Sequence, residues 1–212
     1  MGSLEGIGGY LRMRDAWRAV PILIAVAAAI IVIGEVQVPN LVGGVGAPAF
    51  PLWRFLVMIS ALMPAVVNDS PAINLEGAAG RGYRWTAAAT LLAMIALNVG
   101  GLVALVGWRF EPEVCAVILR GAAGWCGLAL ISGRVFGWPR SWVLPVGALV
   151  VLSYWGTSSV TTYEWWEFTA RPAGDAPASF VAWGLFAVGL GMALADRWTV
   201  SLWRRGRILR RE

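Results

Sequence analysis

The chain has no histidine and no lysine; all seventeen of its basic residues are arginine. Without imidazole there is no histidine acid–base catalysis, no histidine-ligated haem and none of the common histidine zinc sites. No Walker lysine motif is present, and no glycine-rich phosphate loop opens a helix. Cysteine is scarce, with Cys115 and Cys126 in one apolar run. On a single helix they would stand ~16 Å apart at ~1.5 Å per residue, too far for a disulfide, so both read as small buried residues. Charge is scarce too. Only 14% of residues are charged against 58% hydrophobic, with thirteen tryptophans and a mean hydropathy of +0.69. A soluble domain of 212 residues with this make-up would expose far too much apolar surface. The fold class is therefore all-α, a polytopic membrane protein.

There is no paired-carboxylate site, nucleophile elbow or histidine–carboxylate set, so no catalytic residue, metal site or cofactor of the chain's own is expected. A sequence pI near 10.0 in a soluble protein would suggest nucleic acid. In a membrane protein, clustered arginines instead fix orientation and bind anionic lipids at the inner leaflet, and no nucleic-acid partner is expected. The arginine and alanine bias fits a GC-rich bacterial genome, which places the chain in a bacterial cell membrane.

Six apolar runs follow one another: about 21–38, 50–67, 85–108, 114–136, 142–158 and 178–195. Each has roughly 17–24 residues, adequate for a ~30 Å hydrocarbon core. The transmembrane domain is thus 21–196, between an N-terminal segment 1–20 and a basic tail 197–212. In the first segment Tyr10, Met13, Trp17 and Val20 share about one quarter of a helical wheel at ~100° per residue. Arg12, Asp15 and Arg18 fall outside that stripe, which predicts an amphipathic interfacial helix on the inner leaflet. Pro21 permits a bend into the first span. No cleavable signal peptide is evident, since the first apolar run starts only after about twenty residues, and that run is expected to be a retained membrane anchor.

The charges are asymmetric. Arg12, Arg14 and Arg18 precede the first span, Arg81 and Arg84 follow the second, and Arg134 and Arg140 follow the fourth. The tail holds Arg197, Arg204, Arg205, Arg207, Arg210 and Arg211. The opposite loops hold only Arg109 and Arg171, with Glu111, Glu113, Glu164, Glu167 and Asp175. Positive-inside counting puts both termini in the cytosol.

The longest polar interruption in the first half runs from Asn68 to Arg84. A helix start at Ser70-Pro71 leads into a short amphipathic turn of Ile73, Leu75 and Glu76, then glycines and two arginines. It reads either as a short helix on the cytosolic face that docks a partner, or as an ordinary loop with positive-inside arginines. Asn68-Asp69-Ser70 matches the N-glycosylation pattern by chance, being on the cytosolic side.

Ionisable and polar residues within spans are costly, ~2.5–3.5 kcal/mol for a charge at a helix centre. Glu35 and Arg54 flank a short outer loop and are expected to pair. Arg120 is deeper and Asn98 is near mid-bilayer. Arg120, Asn98 and Glu35 line a substrate path or gate, or they are structural, through interhelical pairing and snorkelling. Gly121, Gly124 and Gly127 form a row of small residues, with Ala123–Gly127 and Gly189–Ala193 as small-xxx-small pairs. Such rows let helix backbones approach within one chain or across a dimer seam. In the last outer loop Tyr163, Trp165, Trp166 and Phe168 form an aromatic belt at the interface, or a short external helix capping a cavity.

Six spans with both ends inside, a cytosolic amphipathic helix and a polar element after span two are together similar to the permease subunits of type-2 ABC exporters. Three stretches, Leu75-Glu76-Gly77 to Arg84-Trp85, Arg120-Gly121 to Gly137 and Trp165-Trp166 to Gly189, resemble small actinobacterial ABC-2-type transporter permease-like membrane proteins. The resemblance implies that Pro71, Leu75, Glu76, Arg81 and Arg84 form a coupling helix on a separate ATP-binding subunit. It also implies a second permease chain in a homo- or heterodimer, ATP and Mg on the partner ATPase, and a gate near Trp165 and Trp166. The expected cargo is an amphipathic peptide or lipid-like natural product. The alternative is a non-transporting membrane scaffold or an immunity protein.

Overall fold

The computed structural model describes residues 19–38, 50–66, 81–156 and 163–208, with side chains over 19–38, 51–65, 85–156 and 163–195. The N-terminal amphipathic stripe lies outside the described residues except at Val20. So do Pro71, Leu75 and Glu76 of the polar element. Among the described residues the chain is mostly helical, with one two-residue strand pair and a stretch of turns over 163–175.

Helix α1 (Ala19–Ile33) buries Leu23, Val26, Ala27 and Ile30, the i, i+3, i+4, i+7 stripe of one helix face, against the neighbouring helices. Ala19 and Val20 lie in this helix together with Pro21, so the expected boundary at position 20 falls inside an element. Strand β1 (Gln37–Val38) pairs antiparallel with β2 (Phe50–Pro51), Gln37 opposite Pro51. The amides of Leu52 and Trp53 extend the tie, donating to Val36 O (2.9 Å) and Gly34 O (3.0 Å). This ribbon delivers the chain from the end of α1 to the start of α2.

Helix α2 (Trp53–Ala61) ends at Leu62, and α3 (Met63–Val66) restarts the chain beyond it. Pro64 supplies the reason: it has no N–H to give the carbonyl of Ser60, and its ring crowds that oxygen. Helix α4 (Arg81–Val106) starts at Arg81, with Arg84 in its first turn. Helix α5 (Pro112–Phe136) opens with proline at its first position, where a missing N–H costs no bond, and has Glu113 in its first turn and Arg134 in its last. A 3-10 turn (Trp138–Arg140) leads to α6 (Val143–Trp155) and then α7 (Ala176–Ile208).

Helix α5 is the axis of the bundle. Its most apolar window is 61% buried, against 33% for α4 and 22% for α7, and it packs on α2, α3, α4, α6 and α7. The glycine row accounts for the closest of these contacts. A Cβ on Gly127 would stand 2.5 Å from the Leu185 and Phe186 backbone of α7, and one on Gly189 would strike the Gly127 carbonyl. This small-residue contact lies within the chain.

Among the described residues three helices are long and apolar enough to cross a membrane: Trp85–Val106, Pro112–Phe136 and Ala176–Ala195. Ala19–Ile33 and Trp53–Ala65 are apolar but shorter. Helix α6 has 13 residues, ~20 Å of rise against a ~30 Å core. Beyond Ala195 the backbone of α7 continues to Ile208, so the first twelve residues of the basic tail continue the last apolar helix. Cys115 and Cys126 are both free on α5, Cys126 buried.

Candidate functional site

The segment 163–175 folds back over the first third of α5 and forms a cap. It is built of turns, so the external helix expected around Trp165 and Trp166 is not present. Pro172 and Gly174, residues that favour turns, leave no helical run directly before Asp175. Phe168 is the residue that docks. Its ring lies where a Cβ on Gly124 would be, 2.5 Å away, and meets Trp125 edge-on with centroids 5.1 Å apart. Gly124 makes the hollow that Phe168 fills.

Arg120 fixes the cap to α5. It is 3% exposed, and its guanidinium donates from Nε to Phe168 O (2.9 Å), from Nη1 to Pro172 O (2.8 Å) and from Nη2 to Arg171 O. A planar fork meets three carbonyls of the irregular cap backbone, one of which, Pro172 O, also accepts from the Asp175 amide (3.1 Å). Charge-assisted bonds of this kind are worth ~1.5–3 kcal/mol each when broken. Arg120 thus contacts the loop backbone of the cap, a partner that neither of its expected roles named.

A second clasp closes the far edge. Arg171 donates to Asp175 Oδ2 (2.7 Å) and to Tyr163 O (2.7 Å), which ties the ends of the cap together. Asp175 Oδ1 accepts from the Ala178 amide (2.9 Å), an N-cap for α7. These bonds, that from Ala178 first and Arg171 next, hold the Asp175 carboxyl below its ordinary range.

Glu167 lies beneath the cap, 3% exposed. Its Oε1 accepts from the Thr169 amide (3.3 Å) and hydroxyl (2.5 Å). Its Oε2 is enclosed without a partner among the described residues. Burial pushes the carboxyl above its ordinary range, against the Thr169 bonds and the positive charge of Arg54. Arg54, near the start of α2, stacks on Trp53 (5.8 Å) and Tyr163 (5.4 Å), and its Nε is likewise enclosed and unpartnered among the described residues.

The expected Glu35–Arg54 pair is replaced by another. Glu35 lies 3.5 Å from Arg109, with side chains 63% and 47% exposed, which makes it a weak surface pair. Asn98 is buried on α4, away from the cap, with neither amide atom bonded among the described residues. Together with Ala19, Leu23, Met63, Met94 and Leu97 it lines a cavity of about 10 Å³, room for about one water. Trp165 is 60% exposed and Trp166 half-buried at the rim of the cap. Of the expected path residues the structure thus brings Arg120, Trp165 and Trp166 together, leaves Glu35 at the same end on a different loop, and sets Asn98 apart.

Sequence reasoning did not single out Glu167 and Phe168 as buried groups. The signal available was the pairing of an aromatic in the last loop with a glycine row on α5, two features read separately. Among the described residues no cluster of three metal-ligating side chains occurs. Set against family models, curated proteins and solved structures, the chain matches none, so its site is read from its own chemistry.

Proposed function

We propose that the chain is the membrane-spanning, permease-like subunit of an exporter driven by a separate ATP-binding subunit. It spans a bacterial cell membrane six times, both termini inside, with α1, the α2–α3 pair, α4, α5, α6 and α7 as the spans. The observation that carries this reading is the polarity of the bundle. Glu35, Glu111, Glu113, Glu164, Glu167 and Asp175 lie at the cap end, and Arg81, Arg84, Arg134 and Arg140 at the opposite one. The cap-end arginines are each engaged by the protein: Arg54 by aromatic rings, Arg109 by Glu35, Arg120 by carbonyls and Arg171 by Asp175. The acidic residues thus gather at the cap end, and the end from which α4 starts carries arginines, which is the side a positive-inside orientation makes cytosolic.

In this reading Pro71, Leu75, Glu76, Arg81 and Arg84 contact the ATPase, which brings ATP and Mg, and α4 carries its push toward Asn98. A second permease chain completes the path for an amphipathic peptide or lipid-like cargo. The second reading, a scaffold or immunity protein, draws support from Arg120, whose donors are spent on the cap and leave little for a passing cargo.

The test is purification of the tagged chain from its native membrane, with identification of what accompanies it. A stoichiometric ATPase, lost on Leu75→Asp and retained on Arg84→Ala, is the expected result, because a buried anchor costs ~2 kcal/mol or more to truncate and an exposed charge ~0–1. Full retention by the Leu75→Asp protein means the element is only a loop.

A further inference from the structure

Glu167 is the least satisfied charge-bearing group of the cap. An ionised carboxylate can accept at about four lone-pair positions; here the Thr169 hydroxyl and amide converge on one oxygen, and the Ala170 amide adds a smaller backbone contribution. The other oxygen is enclosed and bare. The groups that face it are few. From α2 comes Arg54, whose charge reaches the carboxyl without a hydrogen bond to it. From α5 comes Arg120, which feels the charge of Glu167 but spends its donors on Phe168, Arg171 and Pro172. From α6 comes Gly156, uncharged, whose Cα lies against the Glu167 stem and whose carbonyl accepts from the Glu164 amide (2.9 Å). Within the cap itself stand Tyr163, Glu164, Arg171 and Asp175, the last two paired with each other.

We propose that Glu167 is a proton-binding switch of the cap: the cap closed on α5 favours the neutral acid, and ionisation of Glu167 loosens the 163–175 segment. The proton comes from water on the cap side, adds to Oε2 and returns to water when the cap opens. The closed state binds that proton more tightly because burial raises the Glu167 carboxyl above its ordinary range, while an opened cap returns it to water and to ordinary behaviour. The resulting hold on the cap is fully present below the ordinary glutamate value of ~4.3 and is lost as pH rises through the raised value. Asp175 acts with the opposite sign. Its carboxyl is depressed, so its contribution is present above ~3.9 and is lost only as pH falls through a value lower still. The two titrations are separated by pH.

The inference stands on the cap alone and its test reads no transport. Hydrogen exchange of peptides covering 163–175 is followed in the full-length protein in lipid nanodiscs, from about pH 4 to about pH 9 and corrected for intrinsic exchange. Protection should rise as pH falls, with a midpoint above the ordinary ~4.3 and about tenfold in the opening constant per unit of separation. Glu167→Gln should show high protection at every pH, since the amide is neutral throughout. Arg54→Gln should move the midpoint upward, because the ionised form loses its nearest positive charge. Protection that is flat in the native chain, or a pH response that survives in Glu167→Gln, overturns the proposal. An Arg54→Gln midpoint that stays in place also overturns it, and so does a Glu167→Gln protein that fails to fold, because a cap that favours the neutral acid must tolerate its isostere.

Discussion

At the scale of single residues, Arg120 and Glu35 show how depth decides what a charge is worth. Glu35 and Arg109 are both about half exposed and 3.5 Å apart, and truncating either should cost ~0–1 kcal/mol. Arg120 is buried and donates to three carbonyls of the cap, so its removal takes a charged donor from each, while Pro172 O keeps the Asp175 amide. Arg120→Ala should therefore destabilise the protein by ~3 kcal/mol or more. Arg120→Lys should recover little of that loss, because an ammonium is a point charge and cannot present a planar fork to three oxygens. The measurement is the thermal midpoint in detergent together with the level of folded protein in the membrane. Full rescue by lysine would show that charge alone, without the fork, holds the cap. The depth of Arg120 is legible in the sequence, because a charge inside an apolar run must have a partner. What the sequence withholds is that the partners are backbone carbonyls far along the chain, since every residue carries a carbonyl and none is marked.

At the scale of elements, the α5–α7 seam rests on two glycines. Gly127 meets the backbone of Leu185 and Phe186, and Gly189 meets the Gly127 carbonyl, so neither neighbour can yield by a rotamer change. Gly127→Ala and Gly189→Ala should each cost ~1–3 kcal/mol by forcing the helices apart. Gly184 and Gly191 lie on the same helix with nothing within 4 Å of a built Cβ, and alanine there should change stability by no more than ~0.5 kcal/mol. Thermal midpoints of the four variants decide the matter; equal effects at all four positions would mean that helix propensity, and not the seam, sets the response. The row Gly121-Gly124-Gly127 is visible in the sequence as a surface for close approach, but its two partners differ in kind. Gly127 takes a helix, while Gly124 takes the ring of Phe168, and an aromatic in an acidic loop reads as interfacial until the loop is seen folded inward. Pro64 is a third lesson. It stands in the sequence as a helix breaker, yet an apolar run from 50 to 67 reads as one span because hydropathy averages across the break between α2 and α3.

At the scale of the whole molecule, composition and the positions of the apolar runs were enough to foresee a helical bundle. Among the described residues, three of its helices have the length and hydropathy to cross a membrane. The remaining apolar helices are short because hydropathy sees burial and not hydrogen-bond continuity, so a run that contains a proline or ends in turns reads longer than its helix. Orientation rests on charge and is open to direct test. A reporter fused at Glu212 or within Asn74–Gly80 should read cytosolic, and one fused near Gly174 should read external. Gly174 is a fair insertion point, since it is exposed at the tip of the cap and a Cβ there meets nothing within 4 Å. It lies between Arg171 and Asp175, whose pair must survive the insertion, so thermal stability of the fusion is the control. Both ends of the chain on one side require an even number of crossings. An external signal at Gly174 with a cytosolic one at Glu212 places α7 across the bilayer, and a cytosolic signal in Asn74–Gly80 then requires an odd number of crossings between Gly80 and Gly174, which three spans, α4, α5 and α6, supply. A cytosolic signal at Gly174 would overturn the six-span arrangement and, with it, the assignment of the cap to the outer face.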